Sequence, residues 1–104
     1  MQEMALIYST FATQEDAIAA LRTLIAEELV TCGNVFAPMI AMYPADGEIK
    51  QAPETGAFFK AHPPVKDRLI KRLGEIHPYD VPCIIEIVAN TTPAFAKWLE
   101  TRVW

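Results

Sequence analysis

The sequence has little of several features that mark large classes of protein. Its 104 residues include only two cysteines and four glycines. Two cysteines are too few for a disulfide framework, which favours a reducing compartment and predicts a cytoplasmic protein. With so few glycines there is no Walker loop, dinucleotide-binding fingerprint or Gly-x-Ser-x-Gly motif, so the common phosphate cradles and nucleophile elbows are excluded.

Positive charge and long apolar runs are also scarce. Nine Lys and Arg stand against 13 Asp and Glu, giving a net charge of -4 and a pI of about 5.0. No broad basic surface is available, so a nucleic-acid partner is not expected. The longest apolar run, residues 35–43, contains Pro38 and falls far short of the roughly 20 residues that span a bilayer. The first residues lack the positive charge of a secretory signal, so neither a membrane protein nor an exported one is expected.

What the chain does have is apolar material. Hydrophobic residues make up 52% of it, against about 45–50% in ordinary globular domains. The length suits a single domain over residues 1–104. One small domain is therefore predicted to carry more apolar surface than it can bury by itself.

Hydrophobic periodicity predicts strands and helices in alternation. The predicted strands are 4–10, 34–43, 48–51 continued by 57–61, and 83–89, and the predicted helices are 14–30, 63–76 and 92–102. Thr13 is expected to cap the first helix and Gly33 to end it. Pro38 indicates an edge position or a bulge in its strand, and Asp46-Gly47 favours a tight type I′ turn.

This order, β-α-β-β-α-β-α, predicts an α+β fold. The predicted fold is a ferredoxin-like βαββαβ sandwich that has an extra C-terminal helix and carries its helices on one face of the sheet. Strands 34–43, 57–61 and 83–89 are apolar on both sides of the sheet, although a strand with one face in water should alternate. Oligomerisation is predicted to bury the second face. The alternative is that loops and the third helix cover it.

The most distinctive segment is His-Pro-Tyr-Asp-Val-Pro at residues 77–82. Its two prolines hold it extended, which fixes His77, Tyr79 and Asp80 relative to one another. Imidazole and carboxylate groups are metal ligands, so His77 and Asp80 are candidates for a metal site. The alternative is a rigid connector whose Tyr79 packs on the core.

The two cysteines are the other candidate ligands. Thiolates favour Cu(I), so Cys32 and Cys83 suit a soft metal, although free cysteines are often simply buried. An enzyme using His77 and Asp80 as acid and base is a further alternative, but nothing supplies the second half of such a site. We therefore expect no catalytic activity.

Taken in order, these motifs resemble those of the CutA family, the divalent-cation tolerance proteins, over almost the whole chain. The residues that carry the resemblance are the 77–82 segment, Cys32-x-Asn34, Tyr43 four residues before Gly47, Lys60, and Phe95-x-x-Trp98-Leu99. The resemblance implies a tight homotrimer with sheets inside and helices outside, similar in architecture to the trimeric PII signalling proteins. It implies binding of copper or another divalent cation, or a signalling role, and no reaction.

The resemblance also implies a crevice between subunits. The residues matched to it are Cys32, Asn34, Tyr43, Lys60, His77, Tyr79 and Asp80. We assign Cys32, His77, Asp80 and Cys83 to a metal and Asn34, Tyr43, Lys60 and Tyr79 to other ligand contacts. Two departures stand out: Pro44-Ala45-Asp46 replaces a stretch where the family usually has Trp, and Cys83 replaces an acidic residue. A thiol at position 83 favours a softer metal. The alternative is a PII-like signalling or interaction module that binds a small anionic metabolite near Lys60 or a protein partner, with metal binding incidental.

Overall fold

A five-stranded antiparallel sheet and three α-helices make up the computed structural model, which describes residues 1–101. The strands are β1 (Gln2–Phe11), β2 (Cys32–Val35), β3 (Met39–Ala45), β4 (Glu48–Ala61) and β5 (Ile84–Thr91). The helices are α1 (Gln14–Ala26), α2 (Lys66–Ile76) and α3 (Pro93–Leu99), with a short 3-10 turn at Pro63–Val65 before α2. The described residues include no helix long and apolar enough to cross a membrane.

The long strand β4 has different partners along its two halves. Its second half lies in a sheet of order β2-β4-β1-β5, whereas its first half pairs with β3. The change falls between Thr55, which pairs with Phe11 of β1, and Glu54, which pairs with Met39 of β3. Residues 39–54 therefore form a two-stranded arm that extends the sheet, and the molecule measures 48 × 26 × 23 Å.

Helices α1 and α2 cover one face of the sheet, called here the covered face. On it Ile7 pairs with Phe59, and both are fully buried. Leu24 of α1 and Leu69 and Leu73 of α2 complete a core in which each has 0% of its surface exposed. Burying such a side chain contributes about 1.5–3 kcal/mol, so this face holds the chain together.

Helix α3 packs on the opposite face, called here the open face, so the prediction that all the helices lie on one face is wrong. Lys60 points to this face because it alternates with the buried Phe59, and its ammonium lies 6.0 Å from the centre of the Phe95 ring. Leu99 is fully buried, and its carbonyl accepts a 2.6 Å hydrogen bond from the Thr31 hydroxyl. The third helix thus covers one end of the open face, which is part of the cover expected if the chain did not oligomerise. It leaves Ile85 on the same face 46% exposed.

Two local predictions are confirmed. The Thr13 hydroxyl accepts a 3.1 Å hydrogen bond from the Asp16 backbone N–H and caps α1. The turn between β3 and β4 has positive φ at both central residues, 53° at Asp46 and 76° at Gly47, as a type I′ hairpin requires.

The predicted end of the first helix is wrong. The helix stops at Ala26 rather than Val30, because Glu28 adopts φ 61° and the chain turns there. Gly33 lies in β2 instead of ending the helix. Glycine is needed there for space, since a Cβ at this position would stand 2.4 Å from the Phe58 carbonyl oxygen.

Other strand and helix boundaries also differ from prediction. The predicted strand 34–43 is two strands, β2 and β3, separated around Pro38, which has no N–H to give to the ladder. The predicted break at 53–56 is absent: Pro53 pairs with Ile40 on the arm, where a proline at a sheet edge is tolerated. The last strand starts at Ile84 rather than at position 83. Helix α3 ends at Leu99, and the predicted end at Arg102 lies outside the described residues.

Candidate functional site

The open face carries an aromatic cluster at the centre of the sheet. Tyr8 of β1, Phe58 of β4 and Phe36, which follows β2, have ring centres 5.0–6.4 Å apart. All three are only half-buried in a single chain. The cluster is an apolar platform beside which the polar groups of the candidate site are arranged.

His77 follows the last residue of α2 and lies inside the protein. It is 7% exposed, and its ring stacks on Phe11 with centres 4.4 Å apart. Its Nε2 lies 2.9 Å from the Thr10 carbonyl oxygen, and its Nδ1 lies 3.1 Å from the Tyr79 backbone nitrogen. Since a carbonyl only accepts, Nε2 carries the proton and Nδ1 accepts from the N–H of Tyr79.

Tyr79 reaches from the 77–82 segment to the base of the arm. Its hydroxyl donates a 3.3 Å hydrogen bond to Oε2 of Glu54. Burial raises the pKa of the Tyr79 phenol above its ordinary value, and the charge of Glu54 and this hydrogen bond raise it further. Tyr79 therefore stays a neutral hydrogen-bond donor at physiological pH.

Two residues near Tyr79 were missed by the sequence analysis, Tyr8 and Glu54. Burial raises the pKa of the Tyr8 phenol, and electrostatic interactions with Cys83 and Glu54 add smaller contributions. Cys83 is exposed, and its carbonyl accepts a 2.6 Å hydrogen bond from the Ser9 hydroxyl. Alternation along β1 could have placed Tyr8 on the open face. Nothing local indicated Glu54, because its position depends on how β4 pairs.

A second group of predicted residues lies at the other edge of the sheet. Cys32 pairs with Lys60, and Asn34 pairs with Phe58, all on the open face. Burial raises the pKa of the half-buried Cys32 thiol, and the nearby Lys60 charge opposes part of that rise. This thiol is therefore mainly protonated, which limits its use as a ligand until a metal displaces the proton.

Asp80 and Tyr43 complete the set of predicted residues. Asp80 is exposed in the 77–82 segment. Tyr43 is on the arm, where it pairs with Lys50 and is 46% exposed. The eight predicted residues thus occupy three places: the 77–83 end, the β2 edge and the arm.

The predicted metal set, Cys32, His77, Asp80 and Cys83, does not form one site within a chain. Across residues 1–101, no three His, Cys, Asp or Glu side chains are grouped as a metal ion would need. Cys32 starts β2 and Cys83 precedes β5, which are three strand spacings apart in the sheet. At about 4.8 Å per spacing they lie at least roughly 14 Å apart, and an offset along the strands adds to this distance. One ion can contact both residues only if they come from different chains.

Comparison with known proteins identifies the fold and the motifs together. The family model for the CutA1 divalent ion tolerance protein matches residues 5–102. The chain belongs to this CutA1 family. The resemblance predicted from the 77–82 segment and its companions is therefore confirmed.

Individual CutA relatives match over nearly their full length. The divalent-cation tolerance protein CutA of Pyrococcus horikoshii is 37% identical over 97 residues, which are 92% of this chain and 94% of that protein. The protein of the same name from Thermotoga maritima is 35% identical over 96% of this chain and 99% of its own. The crystal structure of the divalent ion tolerance protein CutA1 from Ehrlichia chaffeensis superposes with a TM-score of 0.91 at 30% identity, covering 96% of this chain and 94% of that one.

Proposed function

We propose that this CutA1 family member is a divalent-cation tolerance protein that works as a homotrimer of ferredoxin-like subunits. In this proposal, copper or another divalent cation binds in a crevice between subunits, without catalysis, in the cytoplasm. The observation that carries the proposal is the apolar surface that one chain leaves uncovered on the open face and the arm.

The arm supports assembly most directly. Ile40, Met42 and Ile49 are 64%, 67% and 76% exposed there. Exposed apolar patches on a soluble domain mark interaction surfaces, and each copy of the chain offers both an arm and an open face. The stoichiometry of three follows from the family resemblance.

The donor groups support a cation site shared by chains. Cys83 and Asp80 are exposed and lie at the 77–83 end of the sheet. Their thiolate and carboxylate suit a copper ion or a comparable divalent cation, and a second chain would have to supply further ligands. Two free cysteines are compatible with a reducing cytoplasm.

Light scattering tests the assembly. The wild type should have the mass of three chains, and the double variant Met42→Asp/Ile49→Asp should have the mass of one, because charges on the arm cannot be buried without partners. Ile18→Asp, on the outer side of α1 where Ile18 is 43% exposed, is the matched control and should remain trimeric. A wild type that is monomeric at micromolar concentration would refute the proposal.

Calorimetry with Cu(I) and Cu(II) tests the site. Cys83→Ser and Asp80→Asn should each weaken binding at least tenfold, whereas Cys32→Ser tests whether the β2 edge of a neighbouring chain takes part. Unchanged affinity in all three variants, or no binding by the wild type, would rule the cation site out.

A second candidate function rests on Lys60. Lys60 is half-buried and pairs with Cys32, and its ammonium lies over the Phe95 ring, a position suited to a small anion in a PII-like interaction module. A ligand that binds only the folded state raises the melting temperature. A thermal-shift screen in which an anionic metabolite stabilises the wild type but not Lys60→Gln, while metals stabilise neither, would favour this function.

A further inference from the structure

We infer that His77 is a positioning residue for Tyr79 and not a metal ligand. This inference rests on the proposed cation site and revises its ligand set. It follows from the hydrogen bonds that both imidazole nitrogens already make.

A neutral imidazole binds a metal through the lone pair of its unprotonated nitrogen. In His77 that nitrogen is Nδ1, and it accepts the backbone N–H of Tyr79 at 3.1 Å. The other nitrogen, Nε2, carries the proton and donates to the Thr10 carbonyl at 2.9 Å. No lone pair is left for a metal, and coordination would break a buried hydrogen bond.

Burial strengthens this argument. The imidazole is 7% exposed and stacks on Phe11 with an interplanar angle of 12°. Turning the ring towards solvent would give up this stacking and leave the Thr10 carbonyl without its partner. Unpaired buried groups are costly, so a bound metal would have to offset that loss as well.

The same contacts explain what His77 does. The bond from the Tyr79 N–H to Nδ1 closes a turn two residues long, and Pro78 inside it restricts the backbone. Tyr79 is thereby held so that its hydroxyl reaches Glu54 at 3.3 Å. Glu54 is the last β4 residue that pairs with β3. His77 thus links β1, the 77–82 segment and the base of the arm, and it acts on a ligand only through Tyr79.

Amide hydrogen exchange at Tyr79 tests the positioning role. The wild-type amide should be protected, and His77→Ala should lower its protection roughly tenfold, the effect of losing one hydrogen bond. His77→Asn should restore most of the protection, because an asparagine oxygen accepts the N–H two residues on in an Asx turn. This variant also serves if His77→Ala does not fold. Unchanged protection in His77→Ala, or no rescue by His77→Asn, would overturn the inference.

Electron paramagnetic resonance with Cu(II) tests the ligand question. We expect the wild-type copper spectrum to show no nitrogen coupling from His77, so the spectrum of His77→Asn should match it. Tyr79→Phe, which keeps the turn, should keep the spectrum too. His62→Gln is the control, since His62 is the other histidine in the chain. A nitrogen coupling that disappears in His77→Asn would overturn the inference. If the wild type binds no copper, the cation proposal fails and the exchange result alone decides the role of His77.

Discussion

Phe58 and Phe59 are neighbours on β4, yet a single chain buries them very differently. Phe59 points to the covered face and is 0% exposed, whereas Phe58 points to the open face and is half-buried. The side chains are identical, so the difference comes from what lies above each face: α1 and α2 on one, a short α3 over one end of the other. A strand can therefore be apolar on both sides for two separate reasons. One side lines the core of its own chain, and the other forms a surface that needs a partner chain to cover it.

The largest expected effect is on the free energy of unfolding, and it distinguishes the core of one chain from the surface that needs a partner. Phe59→Ala should lower the free energy of unfolding by about 3–5 kcal/mol at any protein concentration, because it leaves a cavity in the core of one chain. Phe58→Ala should cost less in dilute, monomeric protein, and its cost should grow with concentration as copies cover the open face. Urea unfolding over a range of protein concentrations measures both. Equal losses of unfolding free energy in the two variants, independent of protein concentration, would contradict this difference between the two faces.

A smaller effect is expected from crowding on the covered face. Gly33→Ala should lower the free energy of unfolding by about 1–3 kcal/mol, because the new Cβ would stand 2.4 Å from the Phe58 carbonyl oxygen and 2.7 Å from Leu21. Gly74→Ala is the matched control. It lies in α2, where the nearest atom to a Cβ is 3.9 Å away, and it should stabilise the helix by about 0.8–1 kcal/mol. The reverse order of stability in urea unfolding would show that the covered face is loosely packed.

On the open face, the attachment of α3 should depend on one hydrogen bond. Thr31→Val removes the hydroxyl that donates to the Leu99 carbonyl at 2.6 Å and should cost about 0.5–1.5 kcal/mol. Thr31→Ser keeps the hydroxyl and should lose less. Thermal unfolding of the two variants compares them, and equal melting temperatures would mean that packing of Leu99 alone holds the helix.

The smallest effect is expected from an ion pair on the exposed side of the two helices that cover the sheet. Arg72 of α2 donates two hydrogen bonds of 2.8 and 2.9 Å to Glu27 at the end of α1. These bonds lower the pKa of the Glu27 carboxyl. A lowered pKa in the folded state means stabilisation that is present above the usual range of a glutamate and is lost as the pH falls through the folded value. Wild type should therefore be slightly more stable than Glu27→Gln at neutral pH, and the gap should close in acid and in high salt. A gap that persists in acid would refute this reading of the ion pair.

Much of the fold was predictable because it depends on neighbours in sequence. The Thr13 cap, the Asp46-Gly47 turn and the 3-10 turn that begins at Pro63 ahead of α2 each involve residues a few positions apart. The errors arose where a longer-range contact decided the outcome. Gly33 was expected to end a helix, but the space between Phe58 and Leu21 explains why it is glycine.

The candidate site was predictable only as a list of residues. The 77–82 segment indicated His77, Tyr79 and Asp80, and family membership is confirmed. Sequence could not show that the imidazole of His77 is engaged at both nitrogens, or that Tyr79 reaches Glu54, 25 positions away. It also grouped Cys32 with Cys83, which the sheet order places three strand spacings apart.

By itself, then, the sequence determined the alternation of strand and helix segments, the tight turn of the arm and an excess of apolar surface, since propensity, capping and alternation act over a few residues. It did not show that residues 34–43 form two strands, β2 and β3. The tertiary structure decided which apolar side of each strand is covered and which polar groups meet. His77 and Thr10 are 67 positions apart, and only the pairing of β1 with β4 and β5, together with the packing of α2, brings such groups within hydrogen-bond distance.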